Sequence, residues 1–169
     1  MRNLFFTAVV LALGAHAQAA PFPGTMVDTS STGSGINQQG AFGAGVMLGE
    51  PMGATVKFWA NDFVAVDAGL GWSFPDPDGV QIHTDALFHR FDPFRSGIPD
   101  LAFYVGAGLR LKFPEHGDTH VGIRAPFGAA YMIPEHNLEF YAEVAPILDL
   151  TPSVRVAWNG GVGIRYYFK

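Results

Sequence analysis

The chain has 169 residues, with 15 acidic and 10 basic side chains, a formal net charge of −5 and no cysteine. Charged residues make up 15% against 49% hydrophobic, with 21 Gly and 15 Phe. This is too apolar for a disordered chain, offers no thiol for a disulfide scaffold or thiolate metal site, and lacks the basic excess of a nucleic-acid binder.

The first residues read as a leader. Arg2 gives a positive start, Leu4 to Leu13 is a short apolar run, and Ala15-His16-Ala17 and Ala17-Gln18-Ala19 offer small-x-small cleavage sites. That order predicts a signal peptide over residues 1–19, too short in its apolar part to span a bilayer. Removing Arg2 with it leaves 9 basic and 15 acidic residues, a charge of −6. Residues 20–40, rich in Gly, Ser, Thr and Pro, read as a flexible N-terminal segment. Residues 41–169 form the remaining domain.

From Ala41 onward, apolar and aromatic runs are separated by seven turn clusters: Gly49-Glu50-Pro51, Asn61-Asp62, Pro75 to Gly79, Asp92 to Asp100, Pro114 to Asp118, Pro134 to Asn137 and Asp149 to Ser153. The pattern repeats every two residues and not every 3.6, so eight strands joined as hairpins are predicted. Along Phe63–Phe74 one face carries Val64, Val66, Ala68, Leu70, Trp72 and Phe74, and the other Ala65, Asp67, Gly69, Gly71 and Ser73. Along Leu101–Phe113 every odd position is apolar, while Ala102, Tyr104, Gly106, Gly108, Arg110 and Lys112 share the opposite face. Val156–Phe168 repeats the scheme, and Val80–Phe91, Thr119–Tyr131 and Leu138–Leu148 follow it with small lapses.

The second face decides which side is inside. On a soluble barrel it would need long charged residues, yet it is mostly Gly, Ala and Ser with isolated charges. Glycine on a solvated strand face costs backbone entropy and adds no packing. Inside a narrow barrel it makes room for a few large polar side chains. Strands of about ten residues also suffice to cross the hydrocarbon layer, and a sheet in lipid has to close on itself. The expected fold is therefore all-β, an eight-stranded antiparallel up-and-down transmembrane β-barrel. Phe88, Phe103, Tyr131, Phe140, Tyr166 and Phe168 are expected near the periplasmic interface, and Trp72, Phe74, Phe113 and Trp158 near the outer one.

The segment Gly163-Ile164-Arg165-Tyr166-Tyr167-Phe168 resembles the terminal strand of bacterial outer-membrane barrels, with Lys169 added after the final aromatic. Together with Gly43 to Pro51, Gly122 to Gly128 and Glu143 to Pro146, it makes residues 41–168 similar to the OmpA/OmpX-like group of small eight-stranded barrels, in particular to a family of uncharacterised outer-membrane barrel proteins. The resemblance implies an outer-membrane location, outer-membrane lipids as surroundings and the barrel-assembly machinery as a partner during insertion. It brings no established activity.

Projected inward are Lys57, Asp67, Gln81, His83, Asp85, His89, Arg110, Lys112, Arg124, Glu139, Glu143 and Arg165. Counting out from each turn places Arg110 opposite Gly122, Arg124 opposite Ala145 and Glu139 opposite Arg165, with Glu143 diagonal to Arg124 and Asp67 diagonal to Asp85. Isolated charges in so narrow a space should pair, so a salt-bridge plug with trapped water is expected. An eight-stranded barrel is about wide enough for side chains to fill. A narrow gated conduit is the other reading of the same residues. Pro126 and Pro146 fall inside strands of a closed sheet, where bulges are expected.

Chemistry is sparse. Ser73 and His83 could approach one another as in a lipid-modifying outer-membrane enzyme, but Ser73 has neither an elbow motif nor an oxyanion donor. His83 and His89 stand about 20 Å apart along one strand, too far for one ion. No catalytic, cofactor or metal site is expected. The sequence points to a monomeric outer-membrane barrel with a structural or surface-interaction role, its surface partner unidentified. The alternatives are a soluble periplasmic lipocalin-like barrel holding a hydrophobic ligand and the lipid enzyme.

Overall fold

The structure, a computed structural model, describes residues 41–75, 78–91 and 100–168. The leader and flexible segment expected over residues 1–40 lie outside them. The strands are β1 (Phe42–Glu50), β2 (Met52–Trp59), β3 (Val64–Ser73), β4 (Gly79–Phe91), β5 (Leu101–Pro114), β6 (His120–Arg124), β7 (Phe127–Ile133), β8 (Leu138–Thr151) and β9 (Arg155–Phe168). Neighbours in the chain pair antiparallel, and β1 pairs with β9, which closes the ring. β6 and β7 form one stave, since both lie between β5 and β8. Nine strands thus make an eight-stave up-and-down barrel, the all-β fold that the alternation predicts.

The break between β6 and β7 falls at Ala125-Pro126, where proline lacks an amide donor. No bulge forms there, contrary to expectation. Arg124 lies opposite Gly108 and Phe127 opposite Val105, so the count across the gap is preserved. The physical reason is that each proline keeps its carbonyl in the ladder. The Gly106 amide donates to the Pro126 oxygen at 2.7 Å and the Ala125 amide to the Pro146 oxygen at 3.0 Å. The irregularity occurs instead between Val121 and Gly122, which face Thr151 and Asp149 and leave Leu150 unopposed.

Turn chemistry sets the register. At the β2–β3 tip the Asn61 side-chain oxygen accepts from the Phe63 and Val64 amides, both at 2.9 Å, an Asx turn. Between β7 and β8 a 3-10 turn, Pro134–His136, ends on Asn137 in the left-handed region (φ 54°), which seats Leu138 opposite Ile133. Arg124 consequently faces Ile147 and not the expected Ala145. The β3–β4 hairpin closes with Ser73 opposite Gly79, so Asp67 lies directly opposite Asp85 and not diagonal to it. Arg110 opposite Gly122 and Glu139 opposite Arg165 are as counted.

The apolar face points outward. Val105 is 61% exposed and Leu109 56%, whereas Lys57, Gln81 and Glu139 are wholly buried. Exposed aromatics collect at the end that bears both strand termini: Phe42, Phe88, Phe103, Tyr131, Phe140 and Phe168 follow one another around the ring. Phe74, Phe113 and Trp158 are exposed towards the other end, where Trp72 is half-buried.

Inside, glycine is the partner of large rings. A Cβ on Gly128 would stand 2.7 Å from the Tyr104 ring and one on Gly43 2.9 Å from that of Tyr167, while one on Gly163 would clash with the edge of the Tyr141 ring. At these three positions the small inner-face residue is the socket of an inner tyrosine. Overfilling such a site costs about 1–3 kcal/mol. Gly163→Val is expected to lower barrel stability by that amount in a urea titration, and Tyr141→Leu in the same chain to restore part of it.

The barrel interior as the candidate functional site

Because successive side chains alternate across a strand, each stave sends every second residue inward. On β8 this set is Glu139, Tyr141, Glu143, Ala145, Ile147 and Asp149, and on β4 it includes Gln81, His83, Asp85 and His89. All the interior residues singled out from sequence are buried, apart from Glu143, which is half-buried. They form three connected groups along the barrel axis.

Nearest the chain termini, the Lys57 ammonium lies 2.9 Å from Glu139 and 3.0 Å from the His89 Nε2. It also sits 4.5 Å from the centre of the Trp59 ring, a cation–π contact. The Tyr167 hydroxyl donates to Glu139 at 2.8 Å and accepts from the Trp59 indole at 3.0 Å. Glu139 is thus enclosed by a cation and a phenol on one oxygen and by a second cation, Arg165, on the other.

Arg165 ties this group to the middle. Its guanidinium donates to Glu139 at 2.7 Å, to Asp67 at 2.9 Å and to the Thr55 hydroxyl at 2.8 Å, and its central carbon lies over the Tyr141 ring, 3.9 Å from the ring centre. Arg124 stands between Asp85 and Glu143, with its Nε 3.0 Å from Asp85 though not aligned as a hydrogen bond. The Tyr104 hydroxyl donates to Glu143 at 3.0 Å. Two carboxylates directly opposite one another, Asp67 and Asp85, would repel. Each leans instead on its own arginine.

At the far end Arg110 donates to both oxygens of Asp149, at 2.7 and 2.8 Å. Arg155 and the His120 ring stand 3.6 and 3.7 Å from the same carboxylate. The Gln81 amide donates to Asn159 at 3.2 Å, and Asn159 donates to the Glu50 carbonyl at 2.8 Å. Asp149 falls in a predicted turn cluster and so outside the inward set that the sequence predicts, whereas β8 continues to Thr151. The parity of β8 carries the signal that could have found it. With Asp149, five carboxylates (Asp67, Asp85, Glu139, Glu143, Asp149) and five cations (Lys57, Arg110, Lys112, Arg124, Arg165) lie inside the barrel among the described residues.

The room left among Asp67, His83, Arg124 and Arg165 is about 20 Å³, enough for one water. Ser73 and His83 are not brought together: Ser73 pairs with Gly79 and His83 with Gly69, about 13 Å apart along the sheet. His83 packs at Gly69, where an added Cβ would meet its ring.

A closed barrel with a continuous apolar wall and charge-paired side chains within defines a class, the small up-and-down β-barrel turned inside out relative to a soluble one. No protein-family model matches the sequence, and no curated protein does. Among solved structures the chain is similar to the N-terminal β-barrel domain of Pseudomonas aeruginosa OprF, with a TM-score of 0.59, 18% identity, and coverage of 77% of this chain and 98% of that one. It also matches the Neisserial surface protein A (NspA), at a TM-score of 0.47 and 18% identity, over 76% of this chain and 94% of that one. The likeness to the OprF barrel shows a shared fold.

Proposed function

We propose that this chain is a small outer-membrane β-barrel protein whose interior is closed by its own side chains and whose role is structural or surface-interacting, without catalysis. The observation that carries this reading is the exposed apolar wall. Val105, Leu109, Leu111 and Phe113 on β5, and Val156, Trp158 and Val162 on β9, all face outward. Contiguous apolar patches beyond a few hundred Å² are rare on soluble monomers, and here the belt runs around the ring. A lipocalin-like barrel would need those same side chains to line a cavity. A strand as long as β5, with 14 residues, exceeds the about 9–11 that a tilted strand needs to cross the bilayer. Closure of β1 on β9 over residues 160–168 removes the free edge that lipid would not tolerate along that span. The OprF barrel shares the closed β-barrel fold on which this reading rests. Lys57, Arg110, Arg124 and Arg165, held against Asp67, Asp85, Glu139, Glu143 and Asp149, favour a plug over a conduit, since these side chains occupy the space that a solute would need.

The sequence lacks cysteine, so a single introduced thiol reports one position. Val105→Cys and Leu109→Cys are expected to react with a lipid-soluble probe in membranes, while Ala145→Cys, which is buried, stays unlabelled. The protein itself should resist carbonate washing and leave the membrane only with detergent. Release by carbonate, together with equal labelling at the three positions, would reject the outer-membrane reading.

A further inference from the structure

The wall is notched above the short β1–β2 hairpin. β1 pairs with β9 only as far as Glu50 opposite Gly160, so the edge of β9 over residues 155–158 has no β1 partner among the described residues. A pocket of about 220 Å³ opens there, and Ser73, Arg110, Lys112 and Arg155 line it. Its cations come from two different staves, β5 and β9, and its hydroxyl from a third, β3.

The charges of this pocket are not all matched. Arg110 and Arg155 both lean on Asp149. Glu50, also on the pocket wall, accepts the Phe74 amide at 3.0 Å. Lys112 is 4% exposed and donates only to the Pro75 carbonyl, at 3.0 Å. No carboxylate lies within ion-pair distance of it among the described residues; Glu50, on the same wall, attracts it only from further off. Ser73 is wholly buried and its hydroxyl has no hydrogen-bond partner, and the Arg110 Nε has none either. A buried ammonium with no carboxylate in ion-pair contact among the described residues and a buried hydroxyl without a partner are each costly. One ligand answers both, an anion with several acceptor oxygens.

We propose that this mouth pocket binds a phosphate-class oxyanion, free or carried on a lipid headgroup, with Lys112 as its countercharge and Ser73 as a hydroxyl donor. Arg155, whose side chain is 45% exposed, supplies the outer cation. Donors that arrive from three staves suit a tetrahedral acceptor better than a flat carboxylate, for which a single arginine fork is the usual partner. A volume of about 220 Å³ leaves no place for an acyl chain beside the cations, so a lipid would enter by its headgroup alone.

The test is a calorimetric titration of inorganic phosphate into the folded barrel in detergent, with folding of every variant checked by its heat-dependent gel mobility. Saturable binding is expected for the native chain. Lys112→Gln should weaken it about tenfold and Ser73→Ala about threefold, the loss of one charge-assisted and one neutral hydrogen bond. Lys112→Arg, which keeps the charge, should retain it, and so should Arg90→Gln, which alters an exposed cation on the outer wall. In phosphatidylcholine nanodiscs, phosphatidic acid that suppresses the titration identifies a headgroup as the source, and an unchanged titration identifies the free anion. Absence of saturable phosphate binding by the folded native barrel overturns the proposal. Unchanged affinity in folded Lys112→Gln, or in folded Ser73→Ala should the lysine variant not fold, does the same. Because the titration is done in detergent, it fails or succeeds independently of where the protein resides, which the carbonate and labelling experiment decides.

Discussion

Arg165→Met is expected to destabilise the barrel by about 3–5 kcal/mol, the usual cost of removing one partner from a buried ion pair. Arg165 serves two carboxylates, Glu139 and Asp67, and the Thr55 hydroxyl, from a fully enclosed position. Methionine fills much of the same volume and provides none of the donors. Glu139 would keep Lys57 and Tyr167, but Asp67 has no other cation within ion-pair distance among the described residues. The damage therefore concentrates on Asp67, and this gives the prediction its internal check. Adding Asp67→Asn to Arg165→Met removes the stranded charge and should recover a substantial part of the loss. Lys57→Met should cost less than Arg165→Met, because Glu139 retains the arginine. Urea unfolding followed by tryptophan fluorescence, with gel mobility as a second probe, measures all four chains. An Arg165→Met barrel as stable as the native one would show that the interior pairs do not support the fold.

The second large effect is expected on the opposite face. Leu109 sits midway along β5 and points outward. Arginine at the midplane of a transmembrane barrel wall costs about 2–4 kcal/mol, falling to about 0–1 near the interfaces. Leu109→Arg should therefore sharply reduce folding into phospholipid vesicles, whereas Val156→Arg, close to the far end of β9, should be nearly neutral. The depth dependence is the point of the comparison. On a barrel surrounded by water both substitutions replace an exposed apolar side chain by a soluble one, and neither should harm folding. Equal tolerance at the two positions would remove the basis for placing this wall in lipid.

Period-two alternation alone determined much of this protein. The unbroken apolar parity of residues 101–113 and 156–168 specifies strands, and the glycines opposite specify which face has no need of water. The number of staves and the inward set from Lys57 to Arg165 follow from the same count, because on a strand the direction of a side chain is fixed by its place in the sequence. The Gly/Ala character of that face has a second meaning that sequence does not reveal. Which ring each glycine accommodates, Tyr167 at Gly43 or Tyr104 at Gly128, depends on strands far apart in the chain.

Register and reach were decided only by the tertiary structure. Asn137 in the left-handed region moves β8 two places relative to the count from the turn, and this gives Arg124 its position opposite Ile147. Arg124 still meets Glu143, since a long guanidinium spans more of the interior than a pairing table implies. Asp149 belonged to no strand until β8 was seen to run on to Thr151, and its arrival equalises the interior charges. The prolines at 126 and 146 broke no register, because a carbonyl that remains in the ladder keeps the strands aligned even when an amide is missing. Alternation is a local property of the backbone. Pairing partners depend on turn geometry and on long side chains meeting across a closed ring, and neither is written in the order of residues along one strand.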